Sequence, residues 1–172
     1  MKNKAFGLFM GIGLLFASCG GPGEMHTAQV ENLELIADFP LYEGANTATG
    51  EWHVSIDDLT GIQGLDAKSI KSVRVKSALV KLFHEEDEGL LEEITLQITA
   101  SAASMKKVAF MNPVPELGSE FDLQIADNQK GLAELFKQDK VVFVADVNIR
   151  EDYDDDLRLL LTLELEVEFK KP

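Results

Sequence analysis

The chain has 172 residues, of which 30 are Asp or Glu and 16 are Lys or Arg, for a net charge of −14. A surface this acidic repels phosphate backbones and anionic head groups, which argues against nucleic acid as a partner and against membrane docking by charge alone. Length suits one domain, 45% apolar residues suffice for a buried core, and the single cysteine rules out a disulfide within one molecule.

At the N-terminus, Lys2 and Lys4 precede twelve apolar or Gly residues, Ala5 to Phe16, and Ala17-Ser18 offer small side chains ahead of Cys19. A twelve-residue helix is roughly 18 Å long, short of the ~30 Å hydrocarbon core, so residues 1–18 read as a cleaved signal peptide. The stretch Leu14-Leu15-Phe16-Ala17-Ser18-Cys19-Gly20 resembles the lipobox of bacterial lipoproteins, in which a small residue precedes a cysteine that is diacylated and becomes the new N-terminus. Phe16 stands where Leu is commonest, with Leu15 one place early. The resemblance implies lipidation at Cys19; the alternative is a secretory signal that contains a cysteine near its end. With Lys2 and Lys4 removed, 14 basic residues face 30 acidic ones, a net −16. Gly20 after the cysteine resembles lipoproteins passed on to the outer membrane of Gram-negative bacteria, which implies an envelope protein whose domain faces the periplasm.

Residues 19–29, rich in Gly and poor in periodic apolar positions, read as a flexible tether, and the folded domain is expected over 30–172. Leu33, Leu35, Ala37 and Phe39 alternate with polar neighbours as a half-buried strand that Pro40 ends. Gly44 to Gly50 reads as turn, and Trp52, Val54 and Ile56 share the face of the next strand. Ser55 or Asp57 can cap a single helical turn. Ile70 to Phe83 is a longer run whose face switches near Ser77-Ala78, as a bulge would require.

The acidic turn Glu85-Glu86-Asp87-Glu88-Gly89 leads to Ile94, Leu96 and Ile98 in clean alternation. Val108-Ala109-Phe110 and then Phe121, Leu123 and Ile125 follow, separated by Asn112-Pro113-Val114-Pro115. Leu132, Leu135 and Phe136 have helical spacing, which predicts one short helix near 128–138 with Asp127 or Asn128 as cap. Val141 to Ile149 suits a central strand. Leu159, Leu161, Leu163, Leu165, Val167 and Phe169 then hold a strict period of two, with Glu164, Glu166 and Glu168 outward, where they would discourage edge pairing. This pattern predicts an all-β fold, an antiparallel β-sandwich of immunoglobulin-like architecture. As a whole the chain is similar to the small lipid-anchored β-sandwich proteins of Bacteroidota-type envelopes, a likeness that implies location more than activity.

Candidate sites are few. Asp152, Asp154 and Asp156 have the one-three-five spacing of a calcium loop, and Glu85 to Glu88 could add ligands if the two loops share an end. Leu157 replaces the turn Gly and Leu163 the bidentate Glu of a full EF-hand. Ser104 and Lys107 match the spacing of a penicillin-recognising nucleophile and lysine, without the partner motifs of that class. His26, His53 and His84 lack zinc spacing. No catalytic residue and no cofactor is assigned. The expectation is a non-catalytic lipid-anchored envelope protein whose sandwich binds or spaces a partner protein, with Leu41, Tyr42 and the Ala45–Thr49 loop as contacts. The alternative is a glycan- or calcium-binding sandwich using Tyr42, Trp52 or Tyr153; a hydrolase or inhibitor is a third.

Overall fold

A computed structural model describes residues 23–101 and 103–170. The signal segment, the lipobox and Cys19 lie outside them. The chain forms β1 (Glu24–Ala37), β2 (Gly44–His53), α1 (Ile56–Thr60), β3 (Ile70–Leu82), β4 (Leu91–Ala100) and β5 (Ala103–Met111). It continues through β6 (Glu120–Asp122), β7 (Gln124–Ile125), α2 (Leu132–Phe136), β8 (Lys140–Ile149) and β9 (Leu157–Phe169).

The last strand sets the geometry. Leu157, Leu159, Leu161, Leu163, Leu165, Val167 and Phe169 are each at most 1% exposed. Their alternation with half-exposed residues turns one face of β9 wholly into the core. At roughly 1.5–3 kcal/mol for each fully buried side chain, this strand contributes more apolar burial than any loop. Its neighbours are the first strand, paired from Glu24↔Phe169 to Ala37↔Leu157, and β3 on the other side. Because β9 is internal, Glu166 and Glu168 do not guard an edge: they reach across to Lys76 at 3.6 Å and Lys71 at 3.8 Å.

The nine strands lie in one antiparallel sheet in the order β6-β3-β9-β1-β2-β8-β4-β5-β7. β6 pairs with β3 and β7 with β5, and only Leu123 separates them; its N–H donates to Ala78 O at 2.8 Å. One short segment therefore belongs to both margins of the sheet, which curls into a nearly closed barrel. The all-β antiparallel expectation is met, but the two packed sheets of an immunoglobulin-like sandwich are replaced by this barrel-shaped sheet. A period of two tells which face of a strand is buried and not which strand lies beside it, and a curled sheet buries the same face as a stacked pair. Bulges supply the curvature, at Val30/Leu33 in β1 and at Ile70/Ser72 and Val75/Ser77 in β3.

Two boundaries differ from those read in the sequence. β1 begins at Glu24, so the stretch from Glu24 to Gln29 is strand and not tether; the bulge at Val30/Leu33, with Asn32 at φ 49°, hides the continuity of the pattern. Gly44 to Gly50 is also strand, the first part of β2, paired residue by residue with β8. Its small side chains answer to crowding. A Cβ on Gly50 would run into the Glu34 carbonyl oxygen and lie 2.6 Å from Leu35 Cδ2, because β1 folds over β2 at the Ile36↔Thr49 pair.

The helices close one end. Ser55 caps α1, accepting from Asp58 N at 3.2 Å, as its position suggests. α2 lies within the expected span, but its N-cap is Gly131 at φ 86°, and Asn128 instead bonds the Lys130 N–H. Leu132, Leu135 and Phe136 are fully buried, and Trp52 meets Phe136 edge-on at 6.2 Å. Gln129 binds both the N–H and the C=O of Val75, at 2.6 and 3.0 Å, filling the place of a neighbouring strand where β6 has ended. Among the described residues no helix is long and apolar enough to cross a membrane.

Candidate partner-binding face

Strand directions send four loops to one end of the barrel: residues 38–43, 83–90, 112–119 and 150–156. The first and last of these are joined as a pair of strands would be. Leu41 and Tyr153 exchange backbone hydrogen bonds at 3.4 and 3.0 Å. Asp156 accepts from the Phe39 N–H and Asp152 from the Glu43 N–H, both at 2.9 Å.

The other two loops are tied in through buried polar groups. The Tyr153 hydroxyl donates to Asp87 Oδ1 at 2.5 Å, and Asp87 is only 2% exposed. Desolvation first, then its hydrogen bond to Asp87 and the charges of Asp87, Asp155 and Glu86, hold the Tyr153 hydroxyl protonated well above the ordinary tyrosine range. Arg150 donates its N–H to Leu90 O at 2.9 Å and Nη2 to Val114 O at 3.1 Å. Val114 in turn donates to Glu92 O at 2.8 Å. Four loops that would each move alone thus form one braced surface.

On that surface stand Phe39, Tyr42, Phe83 and Leu117, exposed at 54, 64, 45 and 84%. Around them the loops hold twelve Asp or Glu and one Arg. Phe83 is flanked by the His84 ring, edge-on at 4.8 Å, and by the Arg158 guanidinium at 5.9 Å. Large apolar side chains in solvent beside an excess of negative charge, of which only Asp156 is ion-paired among the described residues, to Arg158 at 3.9 Å, offer area that would gain on burial and a field that would favour a cationic approach.

The residues singled out in the sequence fare unevenly. Tyr42 is in solvent, but Leu41 is only 5% exposed because its bridge to Tyr153 turns it into the core. Ala45 to Thr49 is no loop. Phe39, placed inward by alternation, is outside because β1 stops at Ala37, three residues before Pro40. The acidic loops do share an end. Asp152 and Asp156, however, spend oxygens on backbone N–H groups, and among the described residues no three His, Cys, Asp or Glu side chains gather as a metal site. The one-three-five spacing splices the 150–156 loop to the 38–43 loop. Tyr153 is engaged internally and Trp52 is packed on Phe136, so neither forms an open aromatic platform.

Ser104 and Lys107 lie on β5, where a three-residue offset does not repeat a face as it does on a helix, and no hydrogen bond joins them. His26 lies within β1 beside Gly61, His53 is exposed at the end of β2, and His84 precedes the 3₁₀ turn Glu85–Asp87. Leu117 was legible in principle, as a lone large apolar residue in Pro115-Glu116-Leu117-Gly118-Ser119 with no periodic neighbour. Asp87 was not: only the 3₁₀ turn selects it, among four consecutive acidic residues, to point inward.

Comparison with known proteins gave no match, either to a protein-family model or to a curated protein at a significant level.

Proposed function

We propose that the chain is a lipid-anchored envelope protein, held through Cys19 at the outer membrane with its domain toward the periplasm, and that its braced loop end binds a partner protein. The observation that carries the binding part is the placement of Phe39, Tyr42, Phe83 and Leu117 in solvent on loops fixed by Tyr153, Asp87 and Arg150. Fixed loops lose little entropy on association, and exposed rings gain by leaving water. The surrounding carboxylates make the fitting partner basic. The proposal is of a binding protein and not of an enzyme. Among the described residues, no bond or distance favours the glycan or calcium alternative.

Cross-linking in the native membrane, followed by mass spectrometry, tests it. A basic protein should be recovered with the wild type and lost when Phe39, Tyr42 and Leu117 are all changed to Ser. Recovery unaffected by that triple change would overturn the loop-end site. Incorporation of a fatty-acid label that disappears in Cys19→Ala tests the anchor separately.

A further inference from the structure

The anchor constrains orientation as well as location. Five Cα steps separate Cys19 from Glu24, and they span at most about 18 Å. From Glu24 onward β1 is hydrogen-bonded to β9, so no further slack is available. Glu24, Ile70 and Phe169 lie together at the end opposite the four loops. A bilayer that holds Cys19 therefore holds this end close to the head groups.

Charge is divided in the same direction. The loop end is the source of most of the negative excess, whereas the N-terminal end is close to neutral: Glu51 pairs with Lys140 and Glu134 with Lys137, each at 2.7 Å, and Asp57, Asp58, Asp66, Asp127 and Asp139 there are offset in number by further lysines. Four further lysines there have no ion-pair partner among the described residues. Lys68 and Lys170 flank β3 and β9, where Lys170 N donates to Ser69 O at 3.0 Å; Lys106 reaches over Gly131, next to Lys130. Met25 and Met105 stand exposed on the same half, at 56 and 46%. The repulsion from anionic lipid that the net charge implies thus belongs to the far end of the barrel.

Resting on the reading of Cys19 as the anchor, we propose that the barrel stands end-on upon an anionic lipid surface, with Lys68, Lys106, Lys130 and Lys170 against the head groups and Met25 and Met105 at the interface. The thirteen residues of β9 extend about 43 Å, and with the tilt usual in barrels the loop face stands roughly 30 Å above that surface.

The test couples the chain from Cys19 onward, through its one cysteine, to a maleimide lipid in phosphatidylcholine vesicles containing a minor fraction of phosphatidylglycerol and a head-group dansyl lipid. Chemical coupling makes the result independent of whether cells acylate Cys19, so failure here and failure of the anchor reading are told apart. Single-tryptophan reporters W52F/M105W and W52F/L117W, both at exposed positions and checked for folding by circular dichroism, are compared. Energy transfer to the dansyl group should be several-fold greater from the Met105→Trp reporter. The difference should shrink when phosphatidylglycerol is omitted or when the four lysines are changed to Glu. Equal transfer from the two reporters, or more from the Leu117→Trp reporter, overturns the orientation. A difference that survives both changes overturns the role of anionic lipid.

Discussion

Tyr153 donates its hydroxyl to Asp87 Oδ1 at 2.5 Å, so the two most acidic loops of the barrel are joined through a phenol. Asp87 Oδ2 is buried without a partner, which leaves this one bond to offset the desolvation of the carboxyl group. Tyr153→Phe should therefore lower stability by about 2 kcal/mol in urea unfolding, with loosening of both loops. Adding Asp87→Ala should recover part of that loss, because the second change removes the group left unpaired.

The same bond predicts an alkaline signature. The folded-state pKa of Tyr153 is raised above the unfolded value near 10, so the folded chain holds this proton more tightly. The resulting stabilisation is full below pH ~10 and is lost as pH rises from there through the folded pKa. The chain has two tyrosines, and Tyr42 is in solvent. Ultraviolet titration should show one of them ionising late, and Tyr153→Phe should abolish that late step and flatten the fall in stability above pH ~10.

Gly50→Ala should cost about 2 kcal/mol or more, since the new methyl meets the Glu34 carbonyl and the Leu35 side chain, and β1 must shift to admit it. Gly64→Ala makes a useful contrast. Its Cβ would find open space, so the cost there comes only from the backbone angle of φ 73°. Thermal melts of the two variants check the comparison.

Leu163→Asp should cost more than about 4 kcal/mol and abolish cooperative unfolding, because it puts a carboxylate into the centre of the barrel opposite Val30 and Ala78. Leu117→Ser should change stability by no more than about 0.5 kcal/mol while weakening partner capture. A loss of stability from Leu117→Ser comparable with that from Leu163→Asp would show that the loop end is core and not contact surface.

Strand existence was legible wherever period-two patterning ran unbroken, as from Leu157 to Phe169 and from Ile94 to Ile98. The bulge in β3 was also legible, since Val80 and Leu82 fall out of phase with Val73 and Val75. Patterning failed where close packing demanded a small residue: Gly44 to Gly50 looks like a turn partly because Gly50 must lie against β1. It failed again where a bulge reset the phase, which hid the first part of β1. Closure of the sheet through Leu123 depends on strand order, which no local pattern encodes. The candidate face was half legible. Tyr42 and the acidic turns announce themselves in sequence, while the burial of Leu41 and Asp87 arises from contacts with Tyr153, more than 60 residues away along the chain in each case.

The pairing of β1 with β9 has a consequence for how the molecule comes into being. The first strand to leave the ribosome is hydrogen-bonded along its length to the last. Apart from its short Ile36↔Thr49 contact with β2, β1 has no partner until the final strand arrives, and the loop that must close is nearly the whole polypeptide. The barrel therefore closes around β1 only after β9 has been made, so its folding waits on the end of synthesis.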